Sequence, residues 1–392
     1  MANTWKIYIL ALVSFLVGTS EYIISGILDK IADSMGVSIA AAGQLITIFS
    51  LVYGIGTPVL MALTASLDRR KLMIYALGLF VLGNILSFVL PGYGLFVAAR
   101  IIMALGAGMV VVTALNVAAK IAPPGKQASS IATVVMGFTA SLIIGVPIGR
   151  IAAEAMGWKS VFGGIALIGL LAMAVMYLVL PETKGDEPIP LLKQLGLLKK
   201  KKVALGLSVT FFWLGGYSIA YTYLSPYLLN VSGIGSHLLS AALLMFGLAS
   251  LVGSKFGGYS TDRWGVDFTL IGGMVLHILM LVMLSVVTDS LFGVLAILVQ
   301  WSFAAWSSGP TQQYHLTTIE PEASGVMLGL NQSMMQLAMA AGAGIGGIAV
   351  DRVSLASITW FGALGVAIAI VAAVALSRSR SRSVRKDTSV KA

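Results

Sequence analysis

The chain is 392 residues long, 58% of them apolar and 10% charged, with 25 Lys+Arg against 15 Asp+Glu and a formal net charge of +10. A soluble domain carries about 25% charged residues, so this chain has too few to cover a water-exposed surface, and a soluble fold is excluded. Cysteine is absent, which removes disulfides, thiolate metal ligands and cysteine nucleophiles.

In chain order, stretches free of Asp, Glu, Lys and Arg run over 7–20, 34–67, 72–99, 101–119, 127–149, 160–181, 203–254, 268–288, 290–319, 323–350 and 353–377. A membrane-crossing helix needs about 20 mostly apolar residues. The 203–254 stretch holds two such helices, divided by the turn residues Asn230 to Ser236, and the first span runs over 7–28 with Glu21 as its one interruption. The pattern predicts an all-α integral membrane protein of twelve helices, centred near residues 18, 54, 81, 107, 138, 170, 216, 248, 278, 303, 337 and 365. Apolarity is continuous and does not alternate, which argues against a lipid-facing β-barrel. The first span is too long, and too interrupted by Glu21, for a cleavable signal.

Lys and Arg in short loops set orientation. With both termini cytoplasmic, the inner side holds Lys6, Arg69, Arg70, Lys71, Lys120, Lys126, Lys184, Lys193, Lys199 to Lys202, Lys255, Arg263 and the basic tail, against Lys30, Arg150, Lys159 and Arg352 outside. One long loop, 181–202, contains Pro181, Pro188 and Pro190 and ends in four lysines. It divides the chain into a six-helix bundle over 1–180, a cytoplasmic linker over 181–202, a second six-helix bundle over 203–376 and a basic tail over 377–392. Equal halves suggest an internal duplication, hence two pseudo-symmetric bundles around a central cavity.

Charged turns follow the second span of each half: Asp68-Arg69-Arg70-Lys71, and Gly258-x-x-x-Asp262-Arg263-x-Gly265. At these turns the chain resembles the major facilitator superfamily, although the first copy lacks the glycine after Arg69. Arg100 to Gly108 resembles that superfamily's fourth-helix arginine motif, with Met103 in place of the usual glutamine. Gly145-Val-Pro147-Ile-Gly149 resembles the fifth-helix antiporter motif, and Gly157-Trp158 to Phe162 matches the start of helix six. Gly18-Thr-Ser-Glu21-Tyr22 is similar to the drug:H+ antiporter-1 subfamily. Trp306 to Gln313 and Asn331 to Gln336 resemble bacterial purine base and nucleoside efflux pumps, with sugar efflux pumps nearby. The resemblance implies a proton-coupled exporter whose loop residues Asp68, Arg69, Gly258, Asp262, Arg263 and Gly265 gate, and whose Gly145, Pro147 and Gly149 pack helices.

Glu21 is the most informative residue. An acid within a span costs at least ~2.5–3.5 kcal/mol on insertion scales, and desolvation brings a carboxyl toward reversible protonation. It is read as the proton carrier, the alternative being a carboxylate held permanently by a partner. Counting ~1.5 Å per residue from each face places Glu21 and Arg100 both about 9 Å from the same side of a ~30 Å core. Arg100 is therefore the expected partner, with snorkelling to headgroups the alternative. Arg150 and Glu154, four apart, are read as a surface pair. His277 is read as a neutral packed residue rather than a proton relay. His237 and His315 fall at span ends. Asp68 and Asp262 are each expected to cap the helix that follows while pairing with nearby arginines.

Of the 44 glycines, Gly145-x-x-x-Gly149, Gly253-x-x-x-Gly257 and Gly342-x-x-x-Gly346 fit close helix contact in lipid. Gly342 to Gly347 also spells a dinucleotide pattern, but no strand precedes it, so nucleotide binding is rejected. Tyr22, Trp213, Tyr217, Trp306, Gln313, Asn331 and Gln336 are the expected substrate-cavity residues, within a wider set that includes Tyr221, Trp301, Gln312 and Gln332. Rings and amides suit a planar, hydrogen-bonding, largely uncharged solute. Interhelical bonding and interfacial belts are the alternative.

The expected function is proton-coupled efflux of a small organic solute by alternating access, with purine bases or nucleosides ahead of sugars or drug-like compounds. A facilitator or importer without antiport is the alternative within transport, and a non-transporting sensor or scaffold the alternative outside it. No enzyme activity, metal or cofactor is expected; the proton is the coupling ion. The expected partners are the solute and anionic lipid headgroups at the basic tail, not nucleic acid. A monomer in the bacterial inner membrane is expected, with both termini cytoplasmic.

Overall fold

The computed structural model describes residues 4–122, 127–180, 182 and 196–390, and the regular structure among them is helical. Among the described residues, twelve helices are long and apolar enough to cross a membrane. Spans one to four are Thr4–Gly26, Ile39–Leu63, Arg69–Val89 and Tyr93–Ile121. Span five joins Gln127–Ala140, a π-helical turn Ser141–Gly145 and Val146–Met156; span six is Trp158–Val179. Spans seven to twelve are Lys201–Thr222, Ser236–Trp264, Val266–Val286, Leu291–Ile319, Ser324–Arg352 and Ile358–Val390. Each coincides with a charge-poor stretch, because a backbone in hydrocarbon must satisfy its own hydrogen bonds and a helix does so within one segment. Outward faces are apolar, with Leu178 80% and Phe292 86% exposed. That inversion of a soluble surface makes lipid the matching solvent.

Four features differ from the expectation. Span one breaks at Ile27, and an eight-residue helix Leu28–Met35 follows, closed by Gly36 in the left-handed region. A second short helix, Leu224–Asn230, follows span seven. Span five contains the π-turn, in which the Val146 amide reaches back to the Ser141 carbonyl. Proline at 147 has no amide to donate, so the ladder is already interrupted there. Span twelve does not stop at 376 but remains helical to Val390. Of the expected linker, Pro181 and residues 183–195, with Lys184, Lys193, Pro188 and Pro190, lie outside the described residues, as does Lys126.

The chain forms two compact units, Met1–Pro190 with Leu224–Pro226 and Gly235–Leu244, and Leu191–Tyr223 with Tyr227–Ile234 and Met245–Ala392. In the first, span three packs on spans four and six, and span one on span five. Absent side chains set these distances. Gly106 lies against the backbone of Ala76 and Phe80, and Gly137 against that of Ala11. Phe96, Trp158 and Phe162 form an edge-on triad with centroids 5.2–6.0 Å apart, which seats the start of span six. In the second unit, span seven packs on spans eleven and twelve, and span nine on spans ten and twelve. Here Gly216 meets the backbone at Gly362 and Val366, and Gly342 meets that of Gly215.

Candidate functional site

The first unit holds a charged cluster. Glu21 lies in span one at 4% exposure and Arg100 in span four at 0%. The Arg100 Nη1 donates to the Ser20 carbonyl at 2.9 Å and to the Met103 Sδ at 3.2 Å. Its guanidinium carbon sits 4.1 Å above the Phe49 ring. The bond to Ser20, the residue before Glu21, puts the two charges in one layer, and the Glu21 carboxylate acts electrostatically on Arg100. Complete burial corrects the snorkelling alternative for Arg100. Met103 stands where the family motif has glutamine, and its sulfur works as an acceptor for both Arg100 and the Ser20 hydroxyl, the latter at 3.0 Å. The same hydroxyl reaches Asn84 Oδ1 at 3.1 Å, and Asn84 Nδ2 donates to the Phe80 carbonyl at 2.8 Å.

Span five supports Glu21 from another side. A Cβ on Gly18 would press on Phe138 and Ser141, and one on Gly26 on Val146. One on Gly145 would sit 3.0 Å from Thr19 Cβ, and one on Gly149 3.0 Å from Ile23 Cγ1. Gly145 and Gly149, four apart, thus line the face of span five that meets Thr19 and Ile23 on either side of Glu21, while Pro147, between them in sequence, is buried. Tyr22 packs edge-on to Phe138, with centroids 5.7 Å apart.

Arg150 differs from its reading as half of a surface pair. It is among the largest fully buried side chains, at 1% exposure. It donates through Nε to Glu154 at 2.8 Å and through Nη1 to the Gly26 carbonyl at 3.1 Å and to Asp29. Only Glu154 shares its helix; Asp29 arrives from the short helix after span one.

The two charged turns are unlike each other. Asp68 caps span three, its Oδ1 accepting from the Arg70 and Lys71 amides at 3.0 Å. Arg69 is buried and donates to the Ala65 carbonyl at 3.1 Å. Asp262 does not cap the helix that follows: it is exposed, still inside span eight, and Gly265 is the residue before span nine. Arg263 donates to the Tyr259 hydroxyl at 3.1 Å rather than to Asp262. Gly265 has φ +86°, a conformation that a side chain resists. Gly258 has nothing within 4 Å of where its Cβ would be.

The second unit carries a neutral cluster. Tyr217 stacks on Tyr221 at 5.1 Å, lies 5.8 Å from Trp301 and accepts from Trp306 Nε1 at 3.4 Å. Phe246 and His277 complete the group, His277 being fully buried at 6.2 Å from Tyr217 and 6.1 Å from Trp301. Trp213 is buried and its ring tip approaches Gly309. A second polar chain runs from Gln312, which donates to the Gly206 carbonyl at 2.7 Å and Thr210 Oγ1 at 3.0 Å, on to Asn331 through the Thr210 hydroxyl at 2.8 Å. Gln336 is buried on the same span as Asn331, whereas Gln313 is exposed. The inward amide of span ten is therefore Gln312, one residue earlier than the single-face reading of Trp306 and Gln313. His315, read as a span-end residue without significance, is buried.

Sequence reasoning missed Ser20, Asn84, Phe49, Asp29 and Thr210. A lone amide in a charge-free span, Asn84, was a usable signal; Phe49 and Thr210 carried none. Among the described residues no cluster of three or more His, Asp or Glu is placed to hold a metal.

The family model of the Major Facilitator Superfamily matches residues 10–319 and 245–391. The chain is 76% identical over 369 residues to an uncharacterized MFS-type transporter, YbcL, of Bacillus subtilis (strain 168), covering 94% of this chain and 95% of that one. It is 30% identical over 351 residues to the inner membrane transport protein YdhP of Escherichia coli (strain K12), covering 90% of each. Among solved structures, a D-xylose-proton symporter superposes with TM-score 0.78 at 16% identity, over 96% of this chain and 97% of that one. A bacterial homolog of the human lysosomal transporter Spinster gives 0.77 at 16% identity, with the same coverage. Twelve apolar spans, the paired units and this match over nearly the whole length agree: the chain is a multi-pass membrane transporter of the major facilitator superfamily.

Proposed function

We propose that the protein exports a small, largely uncharged, planar solute in exchange for protons by alternating access, with purine bases or nucleosides the leading class. Glu21 is the proton-carrying group and Arg100 the cation that holds its ionised form. The reading rests on one observation above the others: a carboxyl at 4% exposure in a membrane span, in the same layer as a fully buried arginine. Neither charge is cheap to bury. A pair that is costly in one arrangement fits a site whose protonation changes during a cycle. The aromatic and amide side chains of Trp213, Tyr217, Trp306, Asn331 and Gln336 supply stacking and hydrogen bonding suited to a flat heterocycle. Asp68 and Arg69 act at the gate through the capped turn. The basic tail lies on anionic headgroups, and both termini are cytoplasmic.

The test is counterflow of radiolabelled inosine in proteoliposomes under an imposed pH gradient. Wild-type protein accumulates inosine against its gradient, and Glu21→Gln abolishes that accumulation while retaining downhill exchange. Undiminished uphill transport in Glu21→Gln removes Glu21 as the coupling group. Downhill exchange insensitive to the pH gradient in the wild type would establish the facilitator reading instead.

A further inference from the structure

We propose that Arg150 is a positioning residue for Glu21: it clamps the break in span one onto span five and so fixes the register in which the Glu21 turn sits. The inference rests on the proton-carrier reading of Glu21 and adds a second arginine to it. Span one breaks at Ile27, whose backbone leaves the helical region (φ −125°, ψ 21°) while its amide is shared between the Ile23 and Ile24 carbonyls at 3.0 and 3.2 Å. Gly26, at the end of the helix, has a carbonyl that Arg150 takes up at 3.1 Å. The same Nη1 holds Asp29, in the first turn of the short helix beyond the break. One guanidinium thus grips both sides of the discontinuity from a position in span five, itself at 1% exposure. Its bond to Glu154 closes within its own helix and holds no part of span one.

The location of the clamp gives it a mechanical role. The π-turn Ser141–Gly145 lies between the part of span five that meets Gly18 and the part that carries Arg150. A π-turn holds one extra residue, so relaxing it turns the segment beyond it about the helix axis, and migrating it turns the residues it passes by about 100°. Gly145 against Thr19, Gly149 against Ile23 and Val146 against Gly26 all lie at or beyond the turn and flank Glu21 in span one. Apolar contacts between smooth, glycine-lined helices allow such rotation in lipid, where no hydrophobic force opposes it. The charge-assisted contacts of Arg150 to Gly26 and Asp29 do oppose it. Arg150 therefore selects the azimuth of span five on which the surroundings of Glu21 depend.

The experiment uses the full-length protein in liposomes with two readouts. Ile23→Cys, at a fully buried position facing Gly149, reports register through its rate of reaction with N-ethylmaleimide; the chain has no other cysteine. The Glu21 carboxyl is followed by its infrared band, identified by its loss in Glu21→Gln, across a pH titration. Arg150→Met is expected to raise the labelling rate about tenfold or more and to displace the Glu21 midpoint by about one pH unit. Arg150→Lys, which keeps the charge but not the fork, falls between. Asp29→Asn follows Arg150→Met in direction and carries the test if that variant does not fold. Glu154→Gln, which breaks only the contact internal to span five, leaves both readouts near wild type. Labelling unchanged in folded Arg150→Met, or faster labelling with an unmoved Glu21 midpoint, overturns the proposal. A wild-type Glu21 that never titrates overturns the proton-carrier reading instead, and the labelling result still decides whether Arg150 clamps the two spans.

Discussion

Two glycines of span three, Gly78 and Gly83, give a paired test of how the charged layer is built. They share a helix, yet nothing lies within 4 Å of where a Cβ on Gly78 would be, whereas a Cβ on Gly83 would sit 2.7–2.8 Å from the Met103 Cβ, backbone nitrogen and Cα. Ordinary contact begins at 3.4 Å, so Gly83→Ala requires a displacement of about 0.7 Å. The neighbour is main chain, so no rotamer change relieves it. Span four must move, and Met103 carries the sulfur that accepts from Ser20 and Arg100 at 3.0 and 3.2 Å. A shift of that size stretches the Ser20 hydroxyl–Met103 contact to about 3.7 Å and draws Arg100, which moves with span four, away from the Ser20 carbonyl it meets at 2.9 Å. Overpacking costs about 1–3 kcal/mol, against which alanine returns about 0.8–1.0 kcal/mol of helix propensity. Gly83→Ala should be destabilised by up to about 2 kcal/mol with reduced antiport. Gly78→Ala collects the propensity term alone and should be neutral or slightly stabilised with full antiport. Reversible unfolding in mixed micelles measures the first quantity and pH-driven counterflow the second. Equal stabilities for the two variants, or a Gly83→Ala protein with wild-type transport, would refute the claim that close packing of spans three and four holds Arg100 in place.

The remaining expectations concern single contacts. Asp68→Ala should lose about 0.5–2 kcal/mol, because two amides of span three lose their acceptor, and Asp68→Ser should recover most of it; Asp262→Ala, at an exposed position that caps nothing, should unfold with the wild type. Gly265→Ala should cost about 1–3 kcal/mol, because φ +86° with ψ 167° is a region open essentially to glycine alone. In span ten, Gln312→Ala should cost about 1–3 kcal/mol by stripping the Gly206 carbonyl and Thr210 of their donor. Gln313→Ala should change thermal stability little and, if the residue touches solute, raise only the concentration needed for half-maximal transport.

The spans were legible because charge is so costly in hydrocarbon that its gaps mark the helices. The same rule made Glu21 and Arg100 visible, and counting rise along two helices placed them at matching depth without knowledge of packing. What that counting lacked was azimuth. Arg150 shows the consequence: sequence spacing revealed only Glu154, four residues on, while Asp29 stands 121 residues away in the chain and is brought in by a break at Ile27 that leaves no gap in charge. The π-turn was invisible for a similar reason, since one added residue in an apolar run alters neither composition nor length enough to register. At Asp262 the resemblance of the two turns misled, because capping depends on where a helix stops. Span eight runs on to Trp264 and leaves the cap to Gly265.

The halves also divide their chemistry. Buried or half-buried ions of the first unit, Glu21, Arg100, Arg150 and Asp29, make contacts whose strength depends on protonation or charge. The second unit is built from hydroxyls, amides and rings over spans whose interiors carry no Asp, Glu, Lys or Arg across 203–254, 268–288, 290–319 and 353–377. Its Gln312–Thr210–Asn331 chain keeps the same donors and acceptors at any pH near neutrality. A proton can therefore bias the first unit through its own contacts, whereas the span interiors of the second hold, among the described residues, His277 and His315, its acids such as Asp267 and Glu320 standing at span ends beside Ser377 and Lys200. Replacing both histidines with glutamine should therefore leave the pH dependence of transport unchanged. A single substitution at Glu21 should flatten it. A histidine-dependent profile that survives in Glu21→Gln would place the proton in the other half and reverse the assignment.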